Sequence, residues 1–277
     1  YRREGCFKMM LFKRLLGKKH NNSDECIKSI DSISSIDEIP SIDDDTLIRF
    51  DKVCKKYNQG ENEFYALKDA DLTIKSGEMV VILGPSGAGK STLLNLLGGM
   101  DSATSGHIWF KNEDITQYND NRLTQYRAKN IGVVFQFYNL VPTLTAYENV
   151  ALMKDIKNDT MDPAEALSAV GLKEHMHQFP SQMSGGEQQR TSIARAIAKK
   201  PEILLCDEPT GALDTVTGKE VLKLLQKMSR EDKRTVVMVT HNSFFAEIAD
   251  KVIRVKNGAI HSIVINENPK DAEEVNW

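Results

Sequence analysis

One short segment combines the residue types that hold phosphate groups. Residues 84–91 read Gly-Pro-Ser-Gly-Ala-Gly-Lys-Ser and fit the phosphate-loop pattern after an apolar run and before a predicted helix. The glycines let successive backbone N–H groups point at phosphate oxygens, Lys90 can bridge the β- and γ-phosphates, and the Ser91 hydroxyl can bind Mg²⁺. The segment predicts binding of a nucleoside triphosphate with magnesium. The residues concerned are Gly84, Pro85, Ser86, Gly87, Ala88, Gly89, Lys90 and Ser91.

A second group consists of two acids that follow the apolar run 203–206. Asp207 is expected to lie near the metal and to hold it through water. Glu208 points at a different part of the crevice, and we interpret it as the general base that takes a proton from an attacking water. An acidic pair after a strand is more often a turn or a helix cap. This interpretation therefore depends on the presence of the phosphate loop.

The fold must bring these groups together, and the apolar runs indicate how. Four apolar runs are each followed by residues that could bind a ligand or take part in a reaction. These runs are residues 79–83, 132–135, 203–206 and 236–240. Runs of this kind, alternating with helical patterns, predict an α/β fold with a largely parallel sheet. Because ligands of such sheets sit at the carboxyl ends of the strands, Gln136 and His241 are expected to join the same crevice. Each of these two residues alone is a weak candidate.

A second phosphate-binding site is predicted at the start of a helix, at residues 184–186. These residues read Ser-Gly-Gly and begin a helical pattern. The free N–H groups and the positive dipole end of a helix attract anions. The sequence leaves open whether this end and the phosphate loop bind one nucleotide, or whether it is only a helix cap with a flexible start.

Charge and composition define the domain boundaries. Residues 1–20 are basic and residues 21–45 acidic, and isoleucine recurs at every third position from residue 27 to residue 42. We therefore expect residues 1–46 to form a flexible, low-complexity extension, residues 47–264 the α/β domain, and residues 265–277 a C-terminal tail. Helix signals between the strands predict an inserted helical lobe over about residues 137–183.

The chain begins with Tyr1, so Met9 or Met10 is a candidate native start. With 36 Lys and Arg against 39 Asp and Glu, the net charge of −3 argues against a polyanion-binding protein, and no nucleic-acid partner is expected. The four cysteines are far apart, which disfavours a zinc site or a disulfide framework. No run approaches the ~18 apolar residues of a membrane span, and no export signal is recognised, so we expect a cytoplasmic protein.

Taken together, the motifs resemble the ATPase subunit of ATP-binding cassette (ABC) transporters over about residues 47–264. Gln136 matches the Q-loop and His241 the switch histidine. The other matching segments are the signature at 184–188, the Walker B segment at 207–210 and the D-loop at 212–214. The resemblance implies a P-loop NTPase core with a mostly parallel sheet, a small antiparallel β subdomain and an inserted helical subdomain.

The resemblance also implies roles for particular residues. Tyr57 is expected to stack on adenine, although Phe64 and Tyr65 lie close in the sequence. Ser184 and Gly186 of one subunit would close on the γ-phosphate held by Lys90 of a second copy, in a head-to-tail dimer. The nucleotide contacts would further include Thr92, Gly185 and Glu187, and the magnesium ligands would be Ser91, Gln136 and Asp207.

Two residues depart from the commonest signature. Met183 stands where leucine is usual, an apolar exchange of similar volume that should be tolerated. Glu187 stands where glutamine is usual and, with Gln188, Gln189 and Arg190, resembles a subgroup of lipoprotein-release, macrolide-export, cell-division and peptide-antibiotic-resistance ATPases. Such subunits pair with a separate multi-span membrane protein, which would hold this chain at the inner face of the cell membrane. The expected reaction is ATP hydrolysis to ADP and phosphate. A soluble, non-transport ABC ATPase, such as an iron–sulfur assembly type, remains the alternative. The transported substrate is not encoded in these motifs.

Overall fold

The computed structural model describes residues 45–59 and 62–275. The basic block, the acidic block up to residue 44 and the candidate native start lie outside the described residues. The strands are β1 (Thr46–Gln59), β2 (Asn62–Lys75), β3 (Met79–Leu83), β4 (Ser105–Phe110), β5 (Glu113–Asp114), β6 (Ile131–Val134), β7 (Ile203–Asp207), β8 (Thr235–Thr240), β9 (Lys251–Lys256) and β10 (Ala259–Ile265). The helices are α1 (Lys90–Leu97), α2 (Asp120–Asn130), α3 (Ala146–Ala151), α4 (Pro163–Ala169), α5 (Gly185–Ala198) and α6 (Thr215–Arg230).

The central sheet has the strand order β10-β9-β3-β8-β7-β6. All neighbouring pairs from β9 to β6 are parallel, and β10 is antiparallel to β9. Every residue of β3 and β8 is buried, because both faces of the sheet are covered, and this explains why these strands read as continuous apolar runs. The parallel α/β core predicted from the sequence is confirmed.

Alternate residues of β3 serve two different cores. Val80 and Ile82 face a core shared with α1 and a smaller antiparallel sheet of order β2-β1-β4-β5. Met79 and Val81 face a second core that includes Ile193 and residues of α5 and α6. The antiparallel β subdomain that the family resemblance implied is therefore present.

The inserted lobe consists of α3, α4 and the start of α5, joined by short 3₁₀ turns. A capping box between Thr145 and Glu148 begins α3. The fully buried amide of Asn149 donates to the carbonyls of Val141 and Leu144 at 3.1 and 2.9 Å, which fixes the approach to the helix. None of the helices in the described ranges is long and apolar enough to cross a membrane.

The residues after β10, expected as a tail, pack against α6. Ala272 and Val275 are buried in the core beside that helix. The buried Gln226 amide donates to Lys270 O at 2.8 Å, and its oxygen accepts from Ala272 N at 2.9 Å. Residues 266–275 are thus an ordered part of the domain.

Candidate active site

The phosphate loop connects β3 to α1 at the carboxyl edge of the parallel sheet. Gly87 and Gly89 have φ values of +75° and +103°, a region that favours glycine. A Cβ at Gly89 would lie 2.3 Å from Ala66 O, so the neighbouring β2 backbone also excludes a side chain. The glycine spacing in the sequence therefore has a direct steric cause, which is the curl of the loop against β2.

The Lys90 side chain lies within this loop. It is 9% exposed, and its ammonium donates to Gly84 O at 2.9 Å and to Pro85 O at 3.1 Å. These carbonyls hold a buried positive charge at the place where the sequence predicted phosphate binding. A charge-assisted contact to a phosphate oxygen can take their place when nucleotide enters.

Asp207 stands at the end of β7, next to the loop. Burial raises the pKa of its carboxyl, and the negative charge of Glu208 adds to the rise, whereas Lys90 and a hydrogen bond with the Ser91 hydroxyl oppose it. The Ser91 and Asp207 oxygens are hard donors lying side by side, the chemistry that Mg²⁺ prefers. This pair fits a magnesium ion.

The Glu208 carboxylate is held at both oxygens. Oε1 lies 2.9 Å from His241 Nδ1, and Oε2 accepts a hydrogen bond from Thr240 Oγ1 at 3.1 Å. The Glu208 backbone has a φ of +48°, in the left-handed region, and its N–H donates to Val239 O at 2.9 Å. Backbone strain of this kind, in a non-glycine residue, occurs often at functional sites. The arrangement presents an oriented carboxylate beside an imidazole.

A cleft of about 640 Å³ joins these groups. The sequence-derived candidates that line it are Tyr57, Ser86, Gly87, Gly89, Lys90, Ser91, Thr92, Gln136, Asp207 and Glu208. His241 reaches the site through its contact with Glu208. Three residues of the phosphate loop do not line the cleft but make contacts that hold the loop in place. The carbonyls of Gly84 and Pro85 accept from Lys90, and Ala88 O accepts from the Gly258 N–H at 3.0 Å. The volume suits a small polar ligand such as a nucleotide.

Aromatic rings form one end of the cleft. Tyr57, Phe64 and Tyr65 all line it, and the Tyr57 and Phe64 ring centroids are 5.8 Å apart. The Tyr57 hydroxyl donates to Asp101 Oδ2 at 2.6 Å. Burial opposes the charge on Asp101, but hydrogen bonds from Lys55 and Tyr57 outweigh it and lower the pKa of this carboxyl. The ionised Asp101 carboxylate therefore holds the Tyr57 ring in place through its hydroxyl group.

Residues 184–187 do not line this cleft. The Ser184 hydroxyl accepts from Glu187 N at 3.3 Å, and Glu187 Oε2 accepts from Ser184 N at 2.7 Å, which completes a capping box at the start of α5. A Cβ at Gly186 would lie 1.9 Å from Thr217 Cγ2, so close packing against α6 requires this glycine. Within one chain, this helix end and the phosphate loop are therefore separate features.

Helix α5 is nevertheless connected to the segment that follows Gln136. Arg195 donates to Tyr138 O at 2.9 Å and to Asn139 O at 2.6 Å. Both of the accepting residues have positive φ values, 36° and 51°. The guanidinium thus stabilises a strained turn that leads away from the cleft towards the helical lobe.

Sequence reasoning missed several residues of the site, among them Asp101, Thr240, Asn257 and Gly258. Asn257 and Gly258 form the turn between β9 and β10, with φ values of +51° and +76°. An Asn-Gly pair between two alternating apolar runs is a strong hairpin signal, and it could have identified this turn. Nothing local in the sequence indicates that the turn would contact the phosphate loop.

Comparison with protein-family models matches residues 67–211 to the model described as ABC transporter. An uncharacterised ABC transporter ATP-binding protein from Methanocaldococcus jannaschii, MJ0796, is 44% identical over 77% of this chain and 95% of its own length. The lipoprotein-releasing system ATP-binding protein LolD from Idiomarina loihiensis is 40% identical over 78% of this chain and 97% of its own length. The similarity therefore extends over nearly the whole of both relatives.

Other relatives are longer. A putative ABC transporter ATP-binding protein from Mycoplasma pneumoniae is 42% identical over 83% of this chain, and the chain spans only 50% of its length. Among solved structures, a dimeric post-hydrolysis state of the MJ0796 cassette bound to ADP and phosphate has a TM-score of 0.73 at 41% identity, covering 79% of this chain and 98% of that one.

Proposed function

This chain belongs to the ABC transporter family, and we propose that it is the nucleotide-binding subunit that drives a separate multi-span membrane protein. Its ATP-binding cassette is an ATPase, and the family resemblance drawn from the sequence is confirmed. The observation that carries the proposal is the convergence of Lys90, Asp207 and Glu208 on one cleft. These three residues combine a phosphate-binding cation, a metal-binding carboxylate and a base.

We propose the following assignment for ATP binding. The adenine stacks on Tyr57, and residues 84–89 with Lys90 and Thr92 bind the phosphates. Ser91 and Asp207 hold Mg²⁺, with Gln136 as a further oxygen donor. When bound, the ion would neutralise charge on the β- and γ-phosphates.

For hydrolysis, Glu208 accepts the proton of the attacking water, and His241 orients the carboxylate and the γ-phosphate. A base fixed at both oxygens loses little freedom on reaching the transition state, which lowers the barrier. The products are ADP and phosphate. The dimeric ADP- and phosphate-bound structure of the MJ0796 cassette supports this reaction for a close relative.

The separation of residues 184–187 from the cleft favours a head-to-tail dimer. One chain would supply the phosphate loop, and Ser184, Gly185, Gly186 and Glu187 of a second copy would cover the γ-phosphate. The free N–H groups and the positive end of the helix dipole at the start of α5 favour binding of a phosphate. The MJ0796 cassette is dimeric in both of its solved structures, which supports the formation of a dimer.

The proposed membrane partner would dock beside the Q-loop, with the chain on the cytoplasmic face. Phe137 directly follows Gln136 and is 75% exposed, and Phe135 and Val141 in the same segment are also exposed. Several exposed apolar side chains in one segment beside a functional site favour protein docking. The LolD relative is the ATP-binding protein of a lipoprotein-releasing system, which supports a transport or release system over the soluble, iron–sulfur assembly alternative.

Pull-down from a detergent extract tests the partner. We expect a multi-span membrane protein to be recovered in stoichiometric amount, and Phe137→Glu to reduce that recovery severalfold. Ile265→Glu provides the control, since Ile265 is 70% exposed on the edge strand β10. Recovery of a soluble partner alone would favour the non-transport alternative.

The proposed adenine stack gives a separate prediction. Tyr57→Ala is expected to raise the KM for ATP about 5- to 150-fold, since base–aromatic stacking contributes about 1–3 kcal/mol, while kcat changes little. Steady-state ATPase assays measure both constants. Tyr65→Ala is the matched control, because Tyr65 lines the same end of the cleft. A larger KM effect at Tyr65 than at Tyr57 would transfer the stacking role to Tyr65.

A further inference from the structure

Thr240 ends β8 and is 1% exposed. Its hydroxyl donates to Glu208 Oε2 at 3.1 Å and accepts the Asn242 N–H at 3.1 Å. One buried oxygen thus joins the carboxylate to the turn that carries His241. The contact with Glu208 spans 32 positions in the sequence, so it depends on the parallel pairing of β7 with β8.

The directions of these hydrogen bonds follow from the chemistry of the groups. A backbone N–H can only donate, so Asn242 occupies a lone pair of the Thr240 oxygen. The hydroxyl proton is then free for Glu208, and an ionised carboxylate can only accept. The network therefore favours one orientation of an ionised Glu208 side chain.

The two anchors of Glu208 differ in how firmly they are held. The His241 side chain is 75% exposed, so little packing fixes its ring. The Thr240 hydroxyl, in contrast, sits on a fully buried strand. If His241 turns towards a phosphate, Thr240 still holds the carboxylate, and it also sets the backbone of the turn from which His241 projects.

We propose that Thr240 is a positioning residue for hydrolysis, which fixes the Glu208 carboxylate and the His241 turn through a single hydroxyl. This inference rests on the proposed roles of Glu208 and His241. Thr240 does not line the cleft, so it acts through these residues and not on the nucleotide. Loss of the hydroxyl should therefore affect the chemical step and leave ATP binding unchanged.

The test compares Thr240→Val, which removes the hydroxyl but keeps the shape, with Thr240→Ser, which retains it. In the full chain, Thr240→Val is expected to lower kcat about 10- to 100-fold, the rate equivalent of one hydrogen bond to a charged group. KM for ATP should stay within about twofold, because the binding contacts are untouched. Thr240→Ser is expected to restore at least half of the wild-type kcat, within the spread usual for such variants.

Thr235→Val is the matched control. Thr235 begins the same strand and is also 1% exposed, and its hydroxyl accepts the Gly77 N–H at 2.9 Å, at the opposite end of the sheet. This variant should lose thermal stability but keep kcat. If Thr240→Val keeps the wild-type kcat, or if KM and kcat change together, the positioning role is wrong. A wild-type chain that does not hydrolyse ATP would instead refute the proposed function.

Discussion

Replacing Glu208 with glutamine is expected to stop turnover while the protein continues to bind ATP. The two side chains have almost the same shape, so the change removes the base but leaves the loop, Lys90 and the aromatic end of the cleft intact. General-base catalysis typically contributes about 10²- to 10⁴-fold, and kcat should fall by this factor. Since ATP then stays uncleaved, the variant should accumulate as a closed dimer.

Two measurements check this result. A single-turnover assay reports the chemical step, and size-exclusion chromatography with ATP and magnesium reports the dimer. Glu202→Gln is the control, because Glu202 directly precedes β7, whereas Glu208 directly follows it. Its carboxylate pairs with Lys111 at 2.7 Å, away from the cleft. Wild-type turnover by Glu208→Gln would remove this residue from its proposed role.

Much of the site could be predicted because its parts are local. The curl of the loop at Gly87 and Gly89, the cation at Lys90 and the acids after β7 all lie within short segments with a strong steric or chemical pattern. The parallel sheet then brings the strand ends together by a general rule. Apolar runs of the right length were sufficient to apply this rule without any knowledge of the strand order.

The groups that orient the site depend on long-range pairing and were missed. Asp101 is 44 positions from Tyr57 in the sequence, and Thr240 is 32 positions from Glu208. An aspartate or a threonine at a strand or loop end is too common to indicate such a contact. The docking of residues 266–275 on α6 was missed for the same reason, since Gln226 looks like an ordinary polar helix residue until its partners are known.

The head-to-tail dimer predicts that two inactive variants restore activity when they are mixed. Lys90→Ala removes the phosphate-binding cation and weakens nucleotide binding. Ser184→Asp can still accept the Glu187 N–H that caps α5, because aspartate caps helices as well as serine, but it loses the hydrogen bond that the Ser184 hydroxyl donates to Glu187 Oε2 at 2.8 Å. It also places a negative charge where the γ-phosphate of the second copy is expected. The ATPase rate of each variant alone should fall about 100-fold or more, which is the usual effect of removing a charge-stabilising group.

The mixture separates a shared site from two independent sites. When equal amounts are mixed, about half of the dimers contain one chain of each variant. In such a dimer, one of the two sites has no altered residue. About a quarter of the wild-type ATPase rate should therefore return. Mixing Lys90→Ala with Glu208→Gln is the control, because both changes affect the same half of a site and every dimer then has two defective sites. If the first mixture shows only the average of its two components, each chain must complete its own site. The gap between residues 184–187 and the cleft would then have to close within a single molecule.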